Sequence, residues 1–332
     1  MRSNVSDVRR AATACAVLVA AALTASCGGG QAASTFTASR VIAFGDETSV
    51  IDDSLSPGNG RKYSVNGLAP TDAGTIGTAI DCTFNPIWIQ TVASHYGLVF
   101  PQCLGASPVG APNSRIRAFY GAVAADLALQ IDVQQNENGM RTGDLATVLV
   151  GENDIIQQYM LYPTVGEPQL LTNLEAAGAE VGQQVNRIVT FDTRVLISTT
   201  ANVGYTPFAL NEKAIHVDTD RQQLLIRLTS AFNSAVRSNI TNDGRHIGLV
   251  TFDELIQTVG KFTPINGFTN STQAACDFSS LALPTILTCT DLTLIPGATP
   301  LTYLWADERH VTYGGQLSLG NMAVNRLMTN PF

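Results

Sequence analysis

The sequence predicts an α/β protein: a three-layer α/β/α sandwich around a five-stranded, mainly parallel sheet. Three observations carry this. Short apolar runs of strand length alternate with longer segments of helical spacing along most of the 332-residue chain. The runs are apolar throughout, as strands buried on both faces are. No internal repeat and no break in composition divides residues 39–332, which read as one domain. A hydrophobic fraction of 45% against 14% charged residues suits a large core.

The elements follow in order. Arg40 to Phe44 is an apolar strand that ends at Gly45-Asp46. Residues 52–84 are rich in Gly, Pro, Ser, Asp and Thr and read as loop. Pro86 to Tyr96 has helical spacing through Ile87, Ile89, Val92 and Ala93, and Gly97 stops it. Leu98-Val99-Phe100 is a short second strand, and residues 101–118 are loop. Ala122 to Ile131 is a helix. Leu145 to Val150 is the third strand, with a helix starting after Asn153-Asp154. Leu170 to Ile188 is a long helix with apolar positions at Leu171, Leu174, Ala177, Val181 and Val185. Arg194 to Ser198 is a fourth strand, Gln222 to Ile240 an amphipathic helix, and Ile247 to Phe252 a fifth strand. Gly315 to Met328 is the last helix.

The first 27 residues have the form of an export signal. Arg2, Arg9 and Arg10 begin it, and Ala11 to Ala25 form an apolar run too short and alanine-rich for a good membrane span. Leu23-Thr24-Ala25-Ser26-Cys27 resembles a bacterial lipobox, which implies a lipid on Cys27 and a membrane anchor. Ordinary cleavage that discards Cys15 and Cys27 is the alternative. Residues 28–38 read as a flexible linker, and Gly28 suits outer-membrane sorting. The chain carries a net charge of −8, and Arg2, Arg9 and Arg10 against Asp7 leave the part after residue 27 near −10. Nucleic acid is excluded as a partner, because phosphate binding needs a basic face. A monomer is expected.

Four cysteines remain after the signal: Cys82, Cys103, Cys276 and Cys289. An even count in an exported protein suggests two disulfides, with three possible pairings. Cys82–Cys103 and Cys276–Cys289 are preferred because each closes a local loop. With no CxxC pair and scattered histidines (His95, His216, His246 and His310), zinc is not expected.

Three short blocks carry the chemistry. Val41-Ile42-Ala43-Phe44-Gly45-Asp46-Glu47-Thr48-Ser49 ends the first strand. Val148-Leu149-Val150-Gly151-Glu152-Asn153-Asp154 ends the central one. Trp305-Ala306-Asp307-Glu308-Arg309-His310 precedes the last helix. Strand ends of a parallel sheet are where functional residues collect. In this order the blocks resemble those of the SGNH/GDSL hydrolases, a family of esterases and lipases with a flavodoxin-like fold. The resemblance extends to Gly60-Arg61-Lys62-Tyr63-Ser64-Val65-Asn66-Gly67, Pro86-Ile87-Trp88-Ile89, Gly204-Tyr205-Thr206-Pro207, Phe232-Asn233 and Gly267-Phe268-Thr269-Asn270. Residues Thr71 to Cys82 are an insertion within it.

The resemblance implies hydrolysis of a small-molecule or lipid carboxylic ester without metal or organic cofactor. It makes His310 the general base and Asp307 the carboxylate that orients it. Asn153 and a glycine N–H would bind the oxyanion. Leu104-Gly105-Ala106-Ser107 matches the family's second block, which assigns Gly105, with Gly121 as runner-up. Asn153 has an alternative role as cap of the following helix. Asp46 orders the turn through backbone N–H groups, and Gly45 permits a tight bend. Trp88, Trp305 and the other histidines are read as packing residues.

One letter departs. Glu47 stands where the family has its nucleophilic serine. A carboxylate attacking an ester would form a high-energy anhydride, and carboxylate nucleophiles suit alkyl or glycosyl carbon instead. Its longer side chain can reach the oxyanion donors or pair with protonated His310. Three readings follow: a hydrolase fold that has lost serine catalysis and now binds a ligand or supports the envelope, a hydrolase in which Glu47 activates water, or Ser49 as a substitute nucleophile.

Overall fold

The computed structural model describes residues 36–105, 112–241, 244–281 and 283–329. The export signal, the lipobox with Cys27 and the linker up to residue 35 lie outside the described residues. Packing begins at Phe36, inside the expected linker. Its ring meets Tyr96 edge-on and lies under the Arg194 guanidinium, and Ala38 is buried.

Five strands form the main sheet: β1 (Arg40–Gly45), β2 (Arg115–Ile116), β3 (Asp144–Leu149), β4 (Arg194–Ser198) and β5 (Ile247–Val250). Their order is β2-β1-β3-β4-β5, and every pairing is parallel. That is the flavodoxin-like order, with its switch point between β1 and β3. Eight helices follow among the described residues: α1 (Trp88–His95), α2 (Asp126–Asn138), α3 (Glu152–Tyr159), α4 (Glu167–Val189), α5 (Pro207–Ile215), α6 (Arg221–Asn239), α7 (Phe252–Lys261) and α8 (Tyr313–Thr329).

Alternation along β1 divides the core into two layers. Val41 and Ala43 pack with Trp88 and Val92 of α1, Ile256 of α7 and Leu319 of α8. Ile42 and Phe44 face the other way, onto Leu127 of α2, Leu174 of α4 and Leu228 of α6. The three-layer expectation therefore holds. Both expected disulfides, Cys82–Cys103 and Cys276–Cys289, are formed.

Several elements differ from expectation. The second strand is Arg115–Ile116, inside a segment read as loop, and Leu98-Val99-Phe100 lies outside the sheet. Leu98 and Phe100 are buried in the core, so their apolar character reports packing rather than a strand. Two further helices were not read. The last residue assigned to the fifth strand, Phe252, instead begins α7. In α5, the Thr206 hydroxyl accepts from Ala209 N–H and Pro207 takes the first helical position, a start signal within Gly204-Tyr205-Thr206-Pro207 that was given only as part of the resemblance. The insertion folds into an antiparallel pair of Leu68–Pro70 with Ile76–Ile80.

Candidate active site

The turn after β1 is fixed by close approach to β3. Asp46 N–H donates to Leu149 O at 3.0 Å. A Cβ on Gly45, whose φ is +123°, would stand 1.7 Å from that same carbonyl oxygen, so only glycine fits. Asp46 then caps a single turn of 3₁₀ helix (Glu47–Ser49) by accepting from Thr48 N–H at 3.0 Å. Its other oxygen, Oδ2, is buried without a partner. Burial, with Glu47 and Glu152 nearby, holds this carboxyl well above the usual carboxylate range.

Glu47 is aimed across the switch point. Its Oε2 accepts from Gly121 N–H at 2.9 Å and from the Asn153 side-chain amide at 2.9 Å. Gly121 lies in a loop after β2 that returns over β1, where Phe119 N–H donates to Gly45 O at 3.2 Å. Asn153 Nδ2 also donates to Ala122 O at 3.1 Å, and Ala124 N–H donates to Asp154 Oδ2 at 2.9 Å. The start of α3 therefore holds the loop that presents Gly121. Asn153 does not cap α3. Gly151 takes the cap position, where a Cβ would stand 2.2 Å from the Phe232 ring.

The third block closes the site. Asp307 Oδ1 accepts from the N–H groups of Arg309 (2.8 Å) and His310 (2.6 Å), and Oδ2 is 2.7 Å from His310 Nδ1. That carboxylate holds the ring with Nε2 directed at Glu47, 3.6 Å from Oε1. The separation is that of an ion pair, just beyond hydrogen-bond length. Behind the ring, Ser64 Oγ donates to Val311 O at 2.8 Å, and the Tyr63 ring lies 5.9 Å from the imidazole. Tyr63 stacks in turn on the half-exposed Tyr120.

Charges are shared across this cluster. Burial pushes the Glu47 carboxyl up, but His310, Gly121 and Asn153 outweigh it and hold the group at about 2. Burial pushes His310 down, yet Asp307, Glu47 and Glu152 together raise it well above the usual range. At neutral pH the pair is therefore carboxylate and imidazolium. Burial takes Glu152 up to about 7, against the pull of His310 and Arg309, whose Nη1 lies 3.6 Å from its Oε1. Among the described residues, no group of three or more His, Cys, Asp or Glu could hold a metal ion.

The structure thus brings together Glu47, His310, Asp307, Asn153 and Asp46, from three distant segments. Gly105 is a correction. It lies beside Thr83 and lines a groove with Gln90 and Ser94 of α1, in the chain before β2. The donor to Glu47 is the runner-up, Gly121, because only the loop after β2 passes over the end of β1. Ala106 and Ser107, which complete the Gly105 motif, lie outside the described residues. Ser49 is fully buried and its Oγ accepts from Trp88 Nε1 at 3.0 Å, so it is turned away from His310. Glu152, Arg309 and Tyr63 were inside quoted blocks but carried no assigned role.

No protein-family model and no curated protein matches the chain. Solved structures do. The acetylxylan esterase Axe2 of Geobacillus stearothermophilus is similar at 12% identity, with 88% of this chain and 95% of that one covered and a TM-score of 0.41. A lipolytic protein of the G-D-S-L family from Veillonella parvula is similar at 9% identity, with 86% and 96% covered and a TM-score of 0.38. Both alignments are loose. The strand order and the convergence of three blocks at the β1/β3 crevice are what the SGNH/GDSL resemblance implies.

Proposed function

We propose that this chain is an SGNH/GDSL-type ester hydrolase scaffold whose oxyanion pocket is closed by its own Glu47. The observation that carries the reading is the placement of Glu47 Oε2, 2.9 Å from both Gly121 N–H and Asn153 Nδ2. Those donors converge on one point, as the donors of an acyl-transfer site do. Here an anion already sits there, held by charge-assisted bonds.

The ion pair also argues against the remaining readings. A carboxylate titrating at about 2 is a poor base toward water, and an imidazolium has no lone pair free on Nε2. Ser49 is bonded to Trp88 and does not serve as nucleophile. On this reading the resting protein does not turn over a small-molecule or lipid ester. The signal with its lipobox-like end supports export to the bacterial envelope and anchoring through Cys27. Hydrolysis of short p-nitrophenyl esters tests the reading. Wild type is expected to be inert, Glu47→Ser to turn over, and Glu47→Ser with His310→Ala to lose that turnover. Turnover by wild type that survives Glu47→Gln would overturn it.

A further inference from the structure

Beside the imidazole lies a small cavity of about 10 Å³. Its wall mixes apolar residues such as Leu149 and Phe252 with polar ones, among them Glu152, Arg309, His310 and Gln316. That volume is close to what one water molecule needs, and a polar wall is what keeps a water in place. Two lining atoms are buried and make no hydrogen bond, each having only an ion-pair partner at 3.6 Å: Glu152 Oε1, beside Arg309 Nη1, and His310 Nε2, beside Glu47 Oε1. Both side chains are more than nine-tenths buried. Native proteins rarely leave such atoms unpaired, and a bridging water is the usual remedy.

We propose that a single water molecule in this cavity joins the Glu152 carboxyl to His310 Nε2, making Glu152 a third carboxylate, beside Asp307 and Glu47, that governs the imidazole's charge. The imidazolium N–H donates to the water oxygen, and the water donates to Glu152 Oε1. Arg309 Nη1 lies 3.6 Å from that same oxygen, at the cavity wall, and Asp307 holds the opposite nitrogen of the ring. Glu47 faces Nε2 from the turn after β1, with Asp46 behind it. The Tyr63 phenol, from the second layer of the wall, is pushed up to about 12 by burial and neighbouring carboxylates and stays neutral.

Among these, burial takes Glu152 up to about 7, and Asp46, which makes no contact with the cavity, is raised as well. When it ionises, a negative charge appears beside the ring and the imidazolium is held more tightly. The site's charge then changes near neutral pH through Glu152 rather than through histidine itself. This inference builds on the reading of Glu47 as a plug, but its readout is not ester turnover, so the two fail separately.

The test is nuclear magnetic resonance of the full exported chain with labelled histidine, titrated from mildly acid to mildly alkaline pH. Wild-type His310 is expected to show a shift inflection near pH 7 without losing its proton. Glu152→Gln is expected to remove the inflection and lower the pH at which His310 deprotonates. No inflection in wild type, or the same inflection in Glu152→Gln, would overturn the proposal. A high-resolution crystal structure of wild type provides the second arm, independent of whether the variant folds. Density for a water within hydrogen-bond distance of both atoms supports the bridge, and a dry cavity rejects it.

Discussion

Replacing Glu47 by glutamine removes the charge and keeps the shape, so it isolates the ion pair. The carboxyl falls from an ordinary value of 4.5 to about 2 in the folded protein. That drop corresponds to about 3 kcal/mol by which folding favours the charged form. The group is almost fully buried, so solvent screening removes little of this. A Gln amide oxygen can still accept from one of the two donors, which leaves an expected loss of about 2–3 kcal/mol at neutral pH. The sign follows from the depressed folded value. The contribution is complete above the unfolded value of 4.5 and disappears as pH falls through about 2. Urea unfolding of wild type and Glu47→Gln across that acid range reads it directly. The two curves should differ most at neutral pH and converge in acid, with similar denaturant slopes. A Gln variant as stable as wild type at neutral pH, with the same acid profile, would refute the ion pair.

Other outcomes follow from the same geometry. Gly45→Ala would place a methyl 1.7 Å from Leu149 O, and the expected loss exceeds about 4 kcal/mol, read as failure to give a cooperative thermal transition. In a Glu47→Ser background, Asn153→Ala should lower kcat by about 10²–10³-fold with a smaller change in KM, measured on short esters. Gly105→Ala in that background should leave kcat within about threefold, because the groove holding Gly105 is not the acyl site. The buried Lys62 ammonium donates to the carbonyls of Cys82, Phe84 and Asn85 at 3.0, 2.6 and 2.9 Å. Lys62→Met should therefore cost about 3 kcal/mol or more in chemical denaturation, since it strands three acceptors at once.

What could be read from the sequence follows from how local each signal is. β1 and β3 were legible because each is mostly apolar after its first residue, Arg40 or Asp144, and runs into Gly45-Asp46 or Gly151-Glu152. Asp307 and His310 were legible because their partnership is a contact three residues apart, within one loop. β2 was not, because two residues carry no periodicity and its partners in β1 lie more than seventy positions away. The second block was assigned to Gly105 on the resemblance of Leu104-Gly105-Ala106-Ser107 alone. The identity of an oxyanion donor depends on which loop crosses the end of β1, and this is set by the sheet rather than by the motif. The meaning of Glu47 was half legible. Its length allowed it to reach the donors, but only the fold brings Gly121 and Asn153 to one side of it.

The central claim is that position 47 alone closes an otherwise assembled acyl-transfer site. A fluorophosphonate probe tests it most directly, because it labels a hydroxyl only where an activating base and oxyanion donors are both in place. Intact-mass analysis should find wild type unmodified and Glu47→Ser carrying one probe, mapped to position 47 and lost with His310→Ala. Labelling of wild type at any residue, or a Glu47→Ser protein that folds yet takes no probe, would contradict the account.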